Sequence, residues 1–302
     1  MSDLAVEVRD LHKSYGPVEA VRGINLSVSK GVVYAVIGPN GAGKTTTLEI
    51  LEGHRHATSG EARVLGYDPA RNGTDFKQRI GIVLQSTSIP SYLRVEEAIE
   101  MFRGYYPHPR PVDEMLGLVG LAEDRRKLVR RLSGGQLRRL DVAIGLCGDP
   151  DLLFLDEPTT GLDPQARRTA WTMIQGLRDL NKTVLLTTHY MDEAEYLADR
   201  VAVIAAGKIV AEGTPDELRS RASDSHISFR AASLPAGLPA SLDARLANGR
   251  VVMESAAPTR TLHELTTWAT QQGIELEDLR VAPLSLEDVY LQLTADSEGD
   301  GT

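Results

Sequence analysis

The segment Gly38-Pro39-Asn40-Gly41-Ala42-Gly43-Lys44-Thr45 sets the architecture expected of this chain. It fits the phosphate-loop pattern G-x-x-x-x-G-K-[ST], and it lies between an apolar run at residues 32–37 and a helix-like segment at residues 46–51. Glycines allow a tight turn whose backbone N–H groups converge on phosphate oxygens, and the following helix adds the positive end of its dipole. We predict that Lys44 reaches the outer phosphates of a nucleotide and that the Thr45 hydroxyl holds Mg²⁺. The alternative is a glycine-rich turn without a ligand.

Length and composition narrow the class of protein. The chain has 302 residues, 42% of them hydrophobic, which suffices for one large α/β domain and a small one. Its net charge of −9 provides no overall basic field, so a nucleic-acid partner is not expected. The sequence has no secretion signal and no apolar run of about 20 residues. We therefore expect a cytoplasmic chain that reaches a membrane only through a partner.

The hydrophobic pattern predicts an α/β fold for residues 1–220. Short apolar strands alternate with amphipathic helices, and a helix-rich region at about residues 86–132 interrupts them as an insertion. Continuous apolar strands joined by helices indicate a mostly parallel sheet that is buried on both faces.

The composition changes near residue 221. Residues 221–295 contain their own strand and helix candidates and predict a small α+β domain, in which residues 286–293 have the pattern of an amphipathic helix. Residues 296–302 are polar and acidic, so we predict a disordered tail.

Two adjacent carboxylates follow the apolar run Leu152-Leu153-Phe154-Leu155. At the end of a strand beside a phosphate loop, Asp156 is placed to face Mg²⁺. Neighbouring residues at a strand end point to different sides, so Glu157 is free to orient and deprotonate an attacking water. The alternative is a solvated Asp-Glu turn before Pro158.

Further segments complete a resemblance to the ATP-binding cassette (ABC) ATPases. Leu132-Ser133-Gly134-Gly135-Gln136 looks like the signature segment of that family, and Gly38 to Thr45, Gln85, Thr160-Gly161-Leu162-Asp163 and His189 follow the family order. The resemblance covers roughly residues 4–220. It implies a P-loop NTPase core with a RecA-like mixed sheet, an antiparallel β subdomain and the helical insertion. It also implies an ATP hydrolase that depends on Mg²⁺.

The resemblance assigns roles to single residues. It implies that Gln85 contacts Mg²⁺ and water and senses a membrane partner, and that His189 contacts the γ-phosphate. Tyr15 is similar to the family aromatic that stacks on adenine, and Asp163 would lie in a loop crossing a dimer interface. Thr46 belongs with the phosphate-loop residues that bind ATP.

The residues of the signature segment also have a structural explanation that does not depend on the resemblance. Ser133 can cap a helix that begins near Gln136. Gly134 and Gly135 allow an anion to approach that helix end closely. In the family, this end meets the γ-phosphate of ATP held by the opposite subunit. With one copy of each motif, the chain is expected to pair with itself or with a similar cassette, and a homodimer is the simpler hypothesis.

The remaining question is which kind of ABC protein this is. The region around Ser91-Tyr92-Leu93-Arg94 resembles the surface on which transporter cassettes receive an integral membrane permease. Residues 283–294 are similar to the closing segment of drug-resistance exporters related to the daunorubicin exporter ATPase. We therefore expect an exporter of drugs, other hydrophobic small molecules or lipids. Import is the weaker hypothesis, and a soluble ABC ATPase acting on nucleic acid or ribosomes is the alternative class.

Overall fold

The computed structural model describes residues 3–71, 73–85, 88–221, 225–283 and 285–290. Residue contacts divide the chain into a larger unit that ends at Thr214 and a smaller unit that begins at Pro215. The disordered tail expected at 296–302 and the last residues of the helix expected at 286–293 lie outside the described residues. Over the part of the chain that is described, no helix has the length and apolar character needed to span a bilayer.

Strands and helices alternate through the larger unit, as the hydrophobic pattern predicts. In chain order they are β1 (Leu4–Tyr15), β2 (Val18–Ser29), β3 (Val33–Ile37), α1 (Lys44–Leu51), β4 (Ser59–Val64), α2 (Thr74–Arg79), β5 (Ile80–Val83), α3 (Val95–Arg103), α4 (Val112–Leu118), α5 (Gly134–Gly145), β6 (Leu152–Asp156), α6 (Pro164–Asp179), β7 (Thr183–Thr188), α7 (Met191–Leu197), β8 (Arg200–Ala205) and β9 (Lys208–Gly213).

The central sheet has the strand order β5-β6-β7-β3-β8-β9. All neighbours in it are parallel except the pair β8 and β9. Every residue of β3, β6 and β7 is buried, as expected of a parallel sheet joined by crossover connections. This confirms the predicted α/β class and its mostly parallel sheet.

A second sheet, with the order β2-β1-β4, is antiparallel and forms the predicted β subdomain. Its apolar side chains share one core with residues of the central sheet, including Tyr34 and Phe154. The pairing of β1 with β4 shifts register between Arg9 and His12, where Asp10 has a φ of 46°. This irregularity brings the backbone of β1 very close to Gly60.

The helical region between β5 and β6 contains α3, α4 and α5. Val95, Ile99 and Met115 are fully buried there, so the region has its own packed interior. Two of the basic residues between α4 and α5 make ion pairs, and Lys127 is one of them, with Asp124 at 3.4 Å. Arg125 lies within 3 Å of carboxylate oxygens of Glu96 and Asp113.

The smaller unit contains a four-stranded antiparallel sheet, and a 15-residue helix packs against that sheet. Its elements are α8 (Pro215–Arg221), β10 (Ser225–Arg230), β11 (Arg245–Ala247), β12 (Arg250–Ser255), α9 (Pro258–Gln272) and β13 (Arg280–Pro283), and the strand order is β11-β12-β10-β13. Phe229, Val251, Leu265 and Trp268 form a separate core.

The close approach at Gly60 generates a stability prediction. A β-carbon at Gly60 (φ +88°) would lie 2.1 Å from the carbonyl oxygen of Asp10, whereas one at Gly66 (φ +85°) would meet nothing within 4 Å. Both Ala variants carry the left-handed backbone cost of about 1–2 kcal/mol. The free energy of unfolding of Gly60→Ala should be about 1–3 kcal/mol lower than that of Gly66→Ala, because the neighbouring strand must move.

Denaturant unfolding of the two variants measures this difference, with Gly66→Ala as the matched control. Equal losses of unfolding free energy would contradict the close contact between β1 and β4.

Candidate functional site

The phosphate-loop segment connects the end of β3 to the start of α1, as predicted. Gly43 adopts a φ of 103°, and a β-carbon there would lie 2.4 Å from the carbonyl oxygen of Ala20. At Gly38, a β-carbon would lie 2.2 Å from the carbonyl oxygen of Ile204. Only glycine fits these two positions, so the loop is packed against neighbouring strands while Pro39, Asn40 and Gly41 remain exposed.

Lys44 lies inside this loop rather than in solvent. Its side chain is buried, and Nζ donates to the carbonyl oxygens of Gly38 (2.8 Å) and Pro39 (3.0 Å). Burial lowers the pKa of Lys44, and the negative charges of Glu157 and Asp156 partly oppose that shift. The loop therefore presents a partly desolvated ammonium, which attracts an anion strongly. Thr45 is exposed and Thr46 is half-buried at the first turn of α1.

Asp156 ends β6 and is buried at the same edge of the sheet. It pairs with Thr187 of β7, whose hydroxyl donates to Asp156 Oδ1. Asp156, Thr45 and Gln85 supply carboxylate, hydroxyl and amide oxygens, the donor types that Mg²⁺ prefers. Together with the loop, this donor set fits a magnesium-bound nucleotide.

Glu157 has an unusual backbone conformation, with a φ of 45°. Its N–H is directed at the backbone and hydroxyl oxygens of Thr187, both at 3.1 Å. Because few non-glycine residues occupy this left-handed region, the surrounding contacts must hold it there. The turn separates the Glu157 carboxylate from that of Asp156.

Side chains from three loops lie around the Glu157 carboxylate. Its Oε2 accepts from Thr160 Oγ1 (3.0 Å) and from Gln85 Nε2 (3.4 Å). Its Oε1 lies 3.3 Å from Nδ1 of His189, although the two atoms are not aligned as a hydrogen bond. The three residues expected to be catalytic, Gln85, Glu157 and His189, therefore meet in one cluster.

The signature segment begins α5 and is closed by a reciprocal cap. Ser133 Oγ accepts from the N–H of Gln136 (3.2 Å), and Gln136 Oε1 accepts from the N–H of Ser133 (3.0 Å). The helix starts at Gly134, two residues earlier than expected, because Ser133 caps it directly. The Gln136 amide also bonds to Lys127 (3.0 Å) and Asp124 (2.7 Å), so its side chain is tied to its own subunit.

Asp163 caps the neighbouring helix, α6. Its Oδ1 accepts from the N–H groups of Gln165 and Ala166, both at 2.9 Å. A β-carbon on Gly135 would lie 2.8 Å from Cβ of Ala166, so this glycine allows the two helix starts to pack together. A cavity of about 400 Å³ lies between them, lined in part by Ser133 and Asp163. These residues form a second cluster, distinct from the one around Glu157.

Tyr15 ends β1 and is 39% exposed, so it is not a core residue. Lys13 Nζ and Arg55 Cζ lie 5.1 and 5.3 Å from the centre of its ring. Arg55 is also paired with Glu49 of α1 at 2.5 Å. The ring is thus available for stacking beside the helix that follows the phosphate loop.

Sequence reasoning did not identify Arg138 or Thr187 as contributors to the site, and it included Thr160 only as part of a family motif, without a role. Thr187 could not be identified, because its contact with Asp156 depends on strand register. Arg138 carries one sequence signal, an aspartate three residues later on the same helix, and the structure shows that both side chains are buried. Asp141 Oδ2 lies 3.7 Å from Arg138 Nη1, so these two buried side chains form an ion pair.

Known proteins resemble this chain in sequence. The ABC transporter family matches residues 21–160, and the C-terminal domain of ABC transporter domain-containing protein-like sequences matches residues 225–285. The daunorubicin resistance ATP-binding protein DrrA3 of Streptomyces coeruleorubidus is 38% identical, with 98% of each chain covered. The Nod factor export ATP-binding protein I of Burkholderia orbicola is 40% identical over 72% of this chain and 73% of its own.

Solved structures agree on the fold. The cbiO1 protein of Clostridium perfringens, part of the ABC transporter complex cbiONQ, matches with a TM-score of 0.66 at 29% identity, over 72% of this chain and 92% of its own. A dimeric ATP-binding cassette bound to ADP and Pi matches with a TM-score of 0.62 at 24% identity, over 69% of this chain and 98% of its own. The chain therefore belongs to the ATP-binding cassette (ABC) transporter family, as an ATP-hydrolysing subunit.

Proposed function

We propose that this chain is the ATPase subunit of an exporter, which powers a separate membrane permease that moves drugs, other hydrophobic small molecules or lipids out of the cell. The observation that carries the export step is the 38% identity to a daunorubicin resistance protein over 98% of both chains. That similarity extends through both units of the chain. The subunit then works in the cytoplasm, attached to the inner face of the membrane by its permease.

In this proposal, ATP and Mg²⁺ bind between the phosphate-loop segment and the cluster of Gln85, Glu157 and His189. The backbone from Gly38 to Thr46 surrounds the phosphates, and Lys44 exchanges its two carbonyl partners for phosphate oxygens. Tyr15 stacks on the adenine ring. Thr45, Asp156 and Gln85 would hold a magnesium ion, which would supply positive charge beside the phosphate oxygens.

Glu157 is the general base. Its carboxylate is already oriented by Gln85 and Thr160, so it accepts a proton from the attacking water without first reorganising. As the water oxygen bonds to the γ-phosphorus, the bond to the ADP oxygen breaks and the proton stays on Glu157. His189 lies beside the same carboxylate and contacts the γ-phosphate.

Dimer closure completes the site. The N-terminal ends of α5 and α6 face the γ-phosphate of ATP bound by a second subunit. The residues at these ends are Ser133, Gly134, Gly135 and Asp163. Gln136 contributes by holding the capped helix end in shape. A homodimer is the simplest assembly, and a paired similar cassette is the alternative. Hydrolysis opens the pair, and Gln85 transmits the change to the permease.

The expected division of the chain is part of this proposal. An ATP-binding domain over 1–220, with its helical subdomain at 86–132, performs the chemistry, and a small domain over 221–295 accompanies it. The alternative class, a soluble ABC ATPase acting on nucleic acid or ribosomes, has no support among the relatives described above. Import also has no support there, since DrrA3 and the Nod factor protein are named for resistance and export.

The base assignment predicts the behaviour of Glu157→Gln. ATP affinity should stay within about twofold of the parent, while kcat falls at least about 100-fold, because general-base catalysis contributes roughly that much. The variant should also accumulate as a dimer with ATP, which size-exclusion chromatography detects. Lys44→Ala serves as the contrasting variant and should lose about 10–100-fold in ATP affinity. Hydrolysis by Glu157→Gln at the parental rate would rule out Glu157 as the base.

The stacking assignment predicts a loss of nucleotide affinity in Tyr15→Ala. Stacking of a base on an aromatic ring contributes about 1–3 kcal/mol, so the dissociation constant of ATP should rise roughly 5–150-fold. Tyr15→Phe keeps the ring and should bind ATP as the parent does. Binding is measured with a fluorescent ATP analogue, and unfolding of each variant shows whether the fold is intact. Unchanged affinity in Tyr15→Ala would remove this residue from the nucleotide site.

The export proposal predicts which molecules copurify with the chain. Mild detergent extraction of native membranes should recover a multispan membrane protein with the tagged chain, and ATP with Mg²⁺ should alter that complex. Cells carrying Glu157→Gln should accumulate more of an exported drug than cells carrying the parent. Recovery of ribosomes or nucleic acid instead of a membrane protein would favour the alternative class.

A further inference from the structure

A buried arginine lies directly beneath the catalytic peptide. Arg138 is only 7% exposed, and it projects from the first half of α5. Its Nε donates to the carbonyl oxygen of Pro158 at 2.8 Å. Its Nη2 donates to the carbonyl oxygens of Asp156 (2.9 Å) and Glu157 (3.4 Å). One guanidinium therefore holds three consecutive carbonyl groups around the proposed base.

The remaining nitrogen of Arg138 connects this peptide to a second loop. Nη1 donates to the carbonyl oxygen of Leu84 at 2.5 Å, immediately before Gln85. The same nitrogen lies 3.7 Å from Oδ2 of Asp141. A guanidinium has five N–H donors in a rigid plane, and here five oxygens surround it. Arg138 thus links α5 to the ends of both β5 and β6.

Folding stability does not account for the burial of Arg138 beside Asp141. Burial lowers the pKa of Arg138, and the carboxylates of Asp141 and Asp156 oppose that shift. A buried ion pair often contributes no more to folding than a well-packed apolar pair would, because desolvation offsets the attraction. The contacts to carbonyl oxygens around the reacting groups are the feature that an apolar pair could not replace.

The backbone at Glu157 shows what these contacts accomplish. The residue adopts a left-handed conformation that is costly for a non-glycine side chain. Thr187 accepts the Glu157 N–H on one side, and Arg138 donates to the adjoining carbonyl oxygens on the other. The direction of the Glu157 carboxylate depends on this peptide orientation.

We propose that Arg138 is a positioning residue for ATP hydrolysis, which holds the peptide of Glu157 and the loop of Gln85 in a set orientation relative to α5. The inference rests on the proposed role of Glu157 as the base. Arg138 itself touches neither nucleotide nor water in this role. A misplacement of about 1 Å at a catalytic group can cost roughly 100-fold in rate, so losing the guanidinium should affect kcat.

Three variants of the full chain test the proposal, each measured for kcat, ATP affinity and Tm. Arg138→Lys keeps the charge but loses the planar fork, so kcat should fall about 10–100-fold with ATP affinity within about twofold. Asp141→Asn leaves the carbonyl contacts in place, so Tm should fall while kcat stays within about twofold. Combining Arg138→Gln with Asp141→Asn removes both charges and should recover Tm relative to Asp141→Asn, while kcat remains low.

Arg110→Lys is the matched control. Arg110 has a 14% exposed side chain and pairs with Asp149 at 2.7 Å, away from the Glu157 cluster. This variant should keep the parental kcat. The same conservative change is then compared at two largely buried arginines.

A purely structural role for Arg138 predicts different results. Recovery of kcat together with Tm in the double variant would overturn the proposal, as would parental kcat in Arg138→Lys. A loss of ATP affinity that parallels the loss of kcat in Arg138→Lys would also overturn it. Glu157→Gln is included as a reference: its full activity would refute the base itself, whereas an inactive Glu157→Gln beside a fully active Arg138→Lys would refute only the positioning role.

Discussion

Parallel pairing of β5, β6, β7 and β3 directs the carboxyl ends of four strands to one edge of the central sheet. The phosphate-loop segment follows β3, Asp156 ends β6, and His189 follows β7. Gln85 follows β5 two residues after its last strand residue. Residues that are far apart in sequence therefore meet because the strands that carry them share a direction and a register. The nucleotide chemistry of the molecule depends on this alignment.

Several charged side chains are buried near that edge, and each has oriented polar partners. Lys44 donates to two loop carbonyls, Asp156 accepts from Thr187, and Arg138 donates to four carbonyl oxygens. Glu193 is fully buried, and its Oε1 accepts from Thr159 (2.8 Å) and Trp171 (3.0 Å). The peptide after β6 is consequently held by Arg138 at Pro158 and by Glu193 at Thr159.

Burial makes this network rigid, since unpaired charges are costly where the dielectric is low. Rigidity lets the chain keep Glu157 in a conformation that an isolated peptide would leave. The groups that recognise charge are thereby set in place before a nucleotide arrives, which is the arrangement that efficient catalysis of phosphoryl transfer requires. The smaller unit has a separate apolar core.

Sequence alone was sufficient for the α/β class, the position of the phosphate-loop segment, and most helix and strand positions in the larger unit. These follow from local causes: apolar periodicity, glycine placement and helix caps act within a few residues. It also selected Glu157 from its position after an apolar strand, and Gln85 and His189 through family resemblance. Tertiary structure alone decided that they meet around one carboxylate, that Glu157 is left-handed, and that Arg138 lies beneath it. Those features arise from strand register and from burial between distant segments, and neither leaves a local pattern in the chain.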